Sequence, residues 1–164
     1  MSRWAMVLAM VASTATGWMP PVEGPVVRPF DPPSEAWSAG HRGIDLAAPP
    51  GTPVRAAGAG RVSFAGPVAG GLHVVVTHPD GWRTSYSYLA RVDVAAGAPV
   101  ERGAVLGVSG GTGPGHGPGA VHVGLRLGRD YVDPAPLLGL VPLGVRLAPL
   151  DGPPSPTVCP PPGR

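Results

Sequence analysis

The sequence predicts an all-β fold, and three observations support that prediction. Of the 164 residues, 26 are Gly and 24 are Pro, which destabilise helix interiors and favour tight turns. Short apolar runs with the alternation of half-buried strands lie between these turn residues, and a helical pattern is limited to one turn at 134–138. With 43% apolar residues the chain can form a hydrophobic core, so we expect one compact, mostly antiparallel β-sheet of barrel-like or sandwich form.

Eight short strands are expected, each bounded by turn residues. The first is an edge strand, because Pro29 cannot donate to the hydrogen-bond ladder of a central strand. Gly58 and Gly60 mark the turn between the third and fourth strands, and Asp80-Gly81 is a strong hairpin signal between the fifth and sixth. In chain order, the expected strands span residues 26–30, 44–46, 54–57, 61–65, 72–77, 82–89, 105–108 and 121–127.

A faint internal repeat connects the two halves of this region. The segment Gly-Thr-Pro-Val-Arg at 51–55 recurs as Gly-Ala-Pro-Val-Glu at 97–101. Each copy places a turn Gly and a Pro of fixed φ just before a strand. The repeat favours a β-structure made of two related hairpins.

The two ends of the chain differ from the predicted domain at 25–139. Residues 1–15 contain Arg3, an apolar stretch and a small-residue cleavage site, the order of an export signal. Their apolar run is shorter than the roughly 20 residues of a bilayer span, so we expect no stable membrane span, although a membrane anchor or a buried helix is the alternative. A cleaved signal implies a secreted, extracytoplasmic protein. Residues 16–24 are expected to form a linker, and 140–164 a Pro/Gly-rich tail.

Composition argues against several functions. The twelve basic residues are all Arg and are spread along a chain of net charge +2, so nucleic acid is not an expected partner. The Gly-x-Pro-Val segments resemble the hairpin of biotin or lipoyl carriers, but the sequence has no Lys to accept the group. Cys159 is the only cysteine, which excludes an intrachain disulfide; we expect an incidental thiol, with pairing to another chain as the alternative.

Two segments contain residues that can hold a metal ion. His41 and Asp45 lie four positions apart, a separation of roughly 13 Å along a straight strand, but Gly43 permits a bend or bulge that would bring them together. His122 lies on a predicted strand and shares a face with Ala120. Taken singly, the first pair suggests a surface ion pair and His122 a histidine bonded to a backbone carbonyl. Together they offer imidazole and carboxylate ligands of the kind that zinc prefers.

A series of motifs follows in a fixed order along residues 25–139: His41-x-x-x-Asp45, Gly51-Thr52-Pro53-Val54, His78-x-x-Gly81, Tyr86-x-Tyr88-Leu89, Gly111-Thr112-Gly113, His122 and Asp133-Pro134. Their order and spacing resemble those of the lysostaphin/LytM-type zinc peptidases of bacterial cell walls. The resemblance implies the duplicated hybrid motif type of β-fold, a zinc ion held by His41, Asp45 and His122, and peptidoglycan peptides as partners.

Two positions depart from the family pattern. The histidines that in the family activate the metal-bound water and stabilise the developing oxyanion fall on Tyr88 and Ala120. Alanine can neither move a proton nor donate a hydrogen bond, whereas the Tyr88 hydroxyl can donate one but is a poor base at neutral pH. His116, in a Gly-rich loop, is expected to be a solvated residue, with a role as surrogate histidine as the alternative. His78 is expected to be structural.

The sequence therefore predicts a cell-wall-directed protein with a zinc metalloendopeptidase-like domain for peptidoglycan cross-bridge or stem peptides. The zinc ligands are retained, and hydrolysis is expected to be weak or lost. One alternative is an active zinc endopeptidase that uses Tyr88 or His116 in place of the family histidines. Another is a non-catalytic module that binds peptidoglycan or regulates wall hydrolases.

Overall fold

Ten β-strands and one four-residue helix are present in the computed structural model, which describes residues 17–33 and 40–140. The prediction of an all-β, mostly antiparallel fold is confirmed. The elements are β1 Val26–Arg28, β2 Ile44–Ala47, β3 Pro53–Arg55, β4 Gly60–Val68, β5 Gly71–Thr77, β6 Trp82–Val92, β7 Pro99–Val100, β8 Val105–Ser109, β9 Ala120–Leu127, β10 Asp130–Val132 and α1 Pro134–Leu137.

The strands form one antiparallel sheet with the order β1-β2-β9-β6-β5-β4-β7. Strand β10 also pairs with β9, and β8 pairs with both β3 and β6. The long strand β6 lies at the branch point: residues from Trp82 to Ser87 face β9, and those from Leu89 to Val92 face β8. Tyr88, between the two sets, has a φ of +63° and interrupts the regular strand. The change of partner therefore occurs at a single residue.

Side chains alternate in direction along the central strands β2 and β9, so that one set faces the core and the other set lies on the opposite face of the sheet. On β9, Val121 and Val123 are fully buried in the core, and His122 lies between them. On β2, Ile44 and Leu46 belong to the same core and flank Asp45. Because successive side chains of a strand point to opposite faces, His122 and Asp45 lie on the face away from the main core.

The internal repeat has a structural counterpart. Gly51 and Gly97 both have a φ of +87°, and strands β3 and β7 begin two residues later, at Pro53 and Pro99. The pairing is reciprocal, since β3 pairs with β8 of the second half and β7 pairs with β4 of the first. Each copy of the repeat therefore contributes a short strand that pairs with the other half of the sequence. The glycine of positive φ before each strand makes the sharp turn that this pairing needs.

The structure differs from the predicted strands mainly at their ends. Strand β4 continues through Gly66 and Pro67 because the ladder with β5 continues to Val68, whereas the sequence pattern stops at the turn residues. Strand β6 likewise extends to Val92 through its pairing with β8. The short strands β7 and β10 were not expected as strands, because two or three residues carry too little alternation to be recognised.

The segment 17–24, expected to be a linker, packs against the sheet. Val22 is 4% exposed and belongs to the core, and the Trp18 ring lies 4.6 Å from that of His78. Backbone hydrogen bonds join Met19 to Ala57 and Arg55 to Pro21. The predicted export signal and almost all of the predicted C-terminal tail lie outside the described residues. Within the described ranges, no helix is long and apolar enough to cross a bilayer.

Candidate metal centre

His41, Asp45 and His122 meet on the face of the sheet opposite the core. Asp45 Oδ1 lies 2.8 Å from His122 Nδ1 and 3.0 Å from His41 Nε2. The two imidazole nitrogens are themselves 3.0 Å apart. The three side chains assigned to a metal on sequence grounds are thus in mutual contact, with the Asp45 side chain 7% exposed.

Strand pairing brings two of the three side chains together. Asp45 on β2 and His122 on β9 are directly opposed in the antiparallel register. Opposed residues have Cβ atoms about 5 Å apart on the same face of a sheet. The distance between a carboxylate and an imidazole so placed is set by the ladder, and it persists as long as β2 and β9 stay paired.

His41 reaches the site from outside β2. Two backbone hydrogen bonds with Asp31, of 2.7 and 3.0 Å, hold His41, and the chain bends before Ile44. Gly43 lies in this bend, as the sequence analysis expected. A Cβ there would lie 2.4 Å from the Val123 carbonyl oxygen and 2.8 Å from two atoms of the His122 ring. Gly43 is therefore also required for close approach of the backbone to His122.

The hydrogen bonds of His41 indicate which of its ring nitrogens could bind a metal ion. Its Nδ1 donates to the Pro29 carbonyl oxygen at 2.7 Å, since a carbonyl can only accept. The Nε2 of a neutral His41 then carries a lone pair, and this lone pair faces an Asp45 carboxylate oxygen. Two acceptors at 3.0 Å repel each other unless a proton or cation lies between them. The donor set and the bond from His41 to a backbone carbonyl fit a zinc ion.

The electrostatics of Asp45 favour its ionised form. Burial raises the pKa of this carboxyl group, but the hydrogen bond with His122 and the neighbouring His41, His122 and His116 imidazoles lower it by more. The net pKa lies below the ordinary value for aspartic acid. Asp45 therefore supplies a negative charge to the site at neutral pH.

His116 is the fourth member of the cluster. Its Nε2 lies 3.2 Å from Asp45 Oδ1, and its side chain is 10% exposed. The expectation of a solvated loop residue is wrong. Pro114 and Gly115, with a φ of +74° at the glycine, form a tight turn closed by two hydrogen bonds between Gly113 and His116. The Pro-Gly pair was the available signal, because such a pair orders a loop that glycine content alone suggests is mobile.

Tyr88 borders the cluster, and its ring lies flat against that of His116. The ring centroids are 4.2 Å apart with an interplanar angle of 23°. The centroid of His122 is 6.3 Å from that of Tyr88. The left-handed backbone at Tyr88 is rare for a bulky residue and directs this side chain towards the site. Ala120, two residues before His122 on β9, contributes no polar group.

The two other histidines in the described residues lie outside the cluster. His78 is buried and its ring bonds to the Ala59 carbonyl oxygen and to Thr84. His73 contacts the Val68 carbonyl oxygen at 3.1 Å, with its ring 5.5 Å from that of Tyr88. Burial lowers the pKa of both groups. His78 has the structural environment that the sequence analysis expected.

The described residues form an all-β fold with a cluster of His and Asp side chains that could hold a metal ion. The sequence profile of peptidase family M23 matches residues 39–134, and the chain belongs to that family. The resemblance stated on sequence grounds is thus confirmed. The structural neighbours include the antimicrobial peptidase lysostaphin, and the relatives include a DD-carboxypeptidase/endopeptidase.

Sequence similarity to individual relatives extends beyond residues 39–134. Protein Rv2891 of Mycobacterium tuberculosis is 43% identical over 142 residues, which is 82% of this chain and 55% of the relative. The DD-carboxypeptidase/endopeptidase Mpg of Neisseria gonorrhoeae is 41% identical over 95 residues, 57% of this chain and 22% of Mpg. The chain spans about half the length of the curated relatives that it matches over most of its own length.

Solved structures share the fold. A peptidase M23 from Pseudomonas aeruginosa superposes with a TM-score of 0.66 and 37% identity, over 76% of this chain and 51% of that one. The catalytic domain of lysostaphin from Staphylococcus simulans gives a TM-score of 0.64 and 27% identity, over 71% of this chain and 92% of that domain. The described sheet therefore corresponds to nearly the whole lysostaphin catalytic domain.

Proposed function

We propose that this domain is a zinc-binding, extracytoplasmic member of its family that engages peptidoglycan peptides and hydrolyses them weakly or not at all. The observation that carries the proposal is the contact of His41, Asp45 and His122 through two ring nitrogens and a carboxylate oxygen at 2.8–3.0 Å. Such a cluster is stable when a cation takes the centre, and zinc suits two imidazoles with one carboxylate.

Each residue of the proposed centre has a distinct task. Asp45 would neutralise part of the charge of a bound ion, and its pairing with His122 holds these two side chains next to each other. Pro29 orients the His41 ring through its carbonyl oxygen. A bound zinc ion would supply Lewis acidity towards a peptide carbonyl and would lower the pKa of a water molecule. Gly43 leaves the His122 ring the room that it needs.

The weakness of hydrolysis follows from Ala120. Its side chain shares a face of β9 with His122, so it borders the region where a proton would have to move. A methyl group can neither accept nor donate that proton. General acid–base catalysis contributes about 10²–10⁴-fold to such reactions, and a site without it should be slower by a similar factor.

A second candidate is an active zinc endopeptidase in which Tyr88 or His116 takes the place of the absent histidines. The observation that favours it is the stacked pair of rings beside Asp45. In this case His116 would move the proton and the Tyr88 hydroxyl would donate to the oxyanion. The names of several relatives, including the DD-carboxypeptidase/endopeptidase Mpg and the cell division protein DipM of Caulobacter vibrioides, support a role at the wall in either case.

The test combines metal analysis with substrate digestion. The purified protein, Asp45→Ala and the control Asp93→Ala would be equilibrated with zinc and analysed for bound metal. They would then be incubated with peptidoglycan and pentaglycine-type peptides, and fragments followed by mass spectrometry. We expect about one zinc per chain in the wild type and control, none in Asp45→Ala, and little or no fragmentation. Asp93 is a suitable control because it forms a partly exposed ion pair with Arg91.

Three results would change the proposal. Absence of zinc from the wild-type protein would exclude a metal centre. Rapid fragmentation that needs Tyr88 or His116 would establish the second candidate. Binding of peptidoglycan without fragmentation, in Asp45→Ala as in the wild type, would instead favour a non-catalytic binding or regulatory module.

Export is part of the proposal. Residues 1–15 have the order of a signal peptide, and a wall-directed activity requires that the domain leave the cytoplasm. Expression in the native type of host, followed by N-terminal sequencing of the protein recovered outside the cells, should give a start near Thr16. Recovered protein that still begins at Met1 or Ser2 would contradict removal of the segment.

A further inference from the structure

We propose that His116 is a fourth protein ligand of the metal ion, so that the conformation described here is a closed centre. The inference rests on the proposed function, because it takes His41, Asp45 and His122 as the first three ligands. It assigns to the loop between β8 and β9 a role in occupying the coordination position that a substrate would otherwise need.

The position of the His116 ring supports ligation. Its Nε2 is 3.2 Å from Asp45 Oδ1, and one ligand atom from each of the four residues lies within 4.8 Å of the others. A tetrahedral zinc ion with bonds of about 2.0–2.1 Å places its ligand atoms about 3.4 Å apart. The ligand atoms of His41, Asp45 and His122 lie 2.8–3.0 Å apart, slightly closer than this spacing. His116 Nε2 lies within 4.8 Å of all three, so small movements would bring the four atoms to tetrahedral distances.

The orientation of the His116 ring is that of a ligand. Its Nδ1 lies 3.2 Å from the Pro114 carbonyl oxygen, to which it can only donate. The Nε2 of a neutral His116 then carries a lone pair directed at the Asp45 side. His41 shows the same arrangement with Pro29. Histidines that bind metals usually donate their second ring N–H to such a carbonyl group, which fixes the tautomer that coordinates.

Neighbouring residues hold His116 in this place. The turn at Pro114 and Gly115 is closed by backbone hydrogen bonds of 2.9 and 3.2 Å between Gly113 and His116. On the other side the Tyr88 ring covers that of His116 at 4.2 Å. A loop histidine fixed by both a turn and an aromatic stack loses little further conformational entropy when it coordinates.

A fourth protein ligand changes the character of the centre. Sites with four protein ligands are typical of structural zinc, whereas catalytic sites keep one position open. With His116 bound, a peptide carbonyl could reach the ion only after the loop had moved away. The same histidine would then account for low hydrolysis even where substrate binds, and would do so independently of the alanine at position 120.

The experiment measures access to the ion without relying on activity. The wild-type domain, His116→Ala and the control His73→Ala would be loaded with Co²⁺, and azide would be added while the visible spectrum is recorded. His73 is a suitable control because it is the other histidine beside Tyr88 and has no contact with Asp45 among those described. We expect azide to alter the spectrum of His116→Ala strongly and saturably, and to leave the other two proteins nearly unchanged.

Zinc affinity provides the second readout. In competition with a chromophoric chelator, His116→Ala should bind Zn²⁺ more weakly than the wild type, by no less than the roughly 10–100-fold that loss of a residue supporting a ligand costs. Free imidazole should restore part of the loss. Equal zinc affinities, or equal azide responses, in wild type and His116→Ala would overturn the fourth ligand. If Asp45→Ala still abolished binding, the proposed function would survive that result. Absence of metal from the wild-type protein would overturn both.

Discussion

At the scale of single residues, one oxygen atom organises the centre. Asp45 Oδ1 contacts nitrogens of His122, His41 and His116 at 2.8, 3.0 and 3.2 Å. Its lowered pKa has a defined consequence for stability. A carboxyl group with a folded pKa below its unfolded value contributes stability above the unfolded pKa, and this contribution is lost as the pH falls through the folded pKa. Asp45 therefore contributes to the stability of the fold at neutral pH, and this contribution is lost in acid.

The two positions that differ from the family pattern allow a gain-of-function prediction. The double variant Tyr88→His with Ala120→His should raise peptidoglycan hydrolysis above the wild-type level, because it supplies two imidazoles that can move a proton near neutral pH. Each single variant should give less than the pair, since residues that act as a unit are strongly non-additive. Release of soluble fragments, followed by mass spectrometry, is the measurement.

The control for this gain of function is Tyr131→His, which adds an imidazole on the exposed strand β10 away from the centre. A double variant that folds and binds zinc but releases no more fragments than this control would show that the groove no longer accepts a wall peptide.

A second set of residues forms a buried chain of hydrogen bonds. His78 Nδ1 donates to the Ala59 carbonyl oxygen, so Nε2 of the neutral ring accepts from the Thr84 hydroxyl at 2.9 Å. The Tyr86 hydroxyl, 2.9 Å from Thr84, then donates to it and accepts from the backbone N–H of Ala57 at 2.8 Å. Burial raises the pKa of Tyr86 to about 12, so the hydroxyl keeps its proton throughout the physiological range.

Removal of one hydroxyl from this chain of hydrogen bonds should lower the free energy of unfolding. Tyr86→Phe leaves the buried Ala57 N–H and the Thr84 oxygen short of a partner, and we expect a loss of about 1–3 kcal/mol in the free energy of unfolding. Urea unfolding monitored by circular dichroism measures it. Tyr131→Phe is the matched control, because Tyr131 is 42% exposed. A loss of the same size in both variants would mean that the buried chain adds nothing.

At the scale of elements, the loop between β8 and β9 decides how open the centre is. Gly113 lies beneath the Tyr88 ring so closely that a Cβ would meet ring atoms at 2.0 and 2.3 Å. Glycine at this position therefore permits the stack of Tyr88 on His116. Gly117, on the other side of His116, has no atom within 4 Å of where its Cβ would stand. Of these two glycines, Gly113 is thus required for packing and Gly117 is not.

This contrast gives a matched pair of variants. Gly113→Ala should push the Tyr88 ring away and release His116, whereas Gly117→Ala should leave the stack intact. An aromatic ring changes the chemical shifts of protons stacked on it. The NMR signals of the His116 ring should therefore move towards the chemical shifts of an unstacked histidine in Gly113→Ala, and only in that variant. An unchanged His116 resonance in Gly113→Ala would contradict the close packing described here.

At the scale of the whole molecule, His78 connects parts of the chain that are distant in sequence. It bonds to Ala59, ahead of β4, and to Thr84 on β6, and Trp18 packs on its ring at 4.6 Å. Burial lowers the pKa of His78, against smaller opposing effects of the Ala59 carbonyl and Asp80. Protonation of this ring would break the acceptor role of Nε2 and would act on the fold as a whole.

The pH dependence of stability follows from this shift. A histidine with a folded pKa below its unfolded value of about 6.5 binds more protons when unfolded, so the free energy of unfolding falls as the pH drops below that value. We expect a lower free energy of urea unfolding at pH 5.5 than at pH 7.5, measured with a chelator present to remove metal. His73 shifts in the same direction, so His78→Gln should reduce the pH effect without abolishing it. A pH dependence that His78→Gln leaves unaltered would exclude His78 as its source.

The sequence was sufficient for those parts of the fold that depend on neighbouring residues. Alternation of apolar and polar residues predicted β2, Asp80-Gly81 predicted the hairpin of β5 and β6, and Gly-x-Pro predicted the sharp turns before β3 and β7, because pleat and turn geometry are local properties. Motif order indicated the residues of the candidate metal centre, and the contact of Asp45 with His122 follows from their pairing across β2 and β9. The ends of β4 and β6 could not be predicted, since they depend on where the partner strands stop.

By itself, the sequence determined the fold class, the repeat, the family resemblance and the choice of His41, Asp45 and His122 as a cluster, because periodicity and motif spacing encode them along the chain. Only the tertiary structure decided that Tyr88 takes a left-handed backbone where β6 changes partners, and that His116 stands against Asp45, 71 residues away in sequence. The Pro114-Gly115 turn is visible in the sequence, but its direction depends on the packing of Gly113 beneath Tyr88. Long-range packing has no local signature, and it is this packing that sets whether the centre is open or closed.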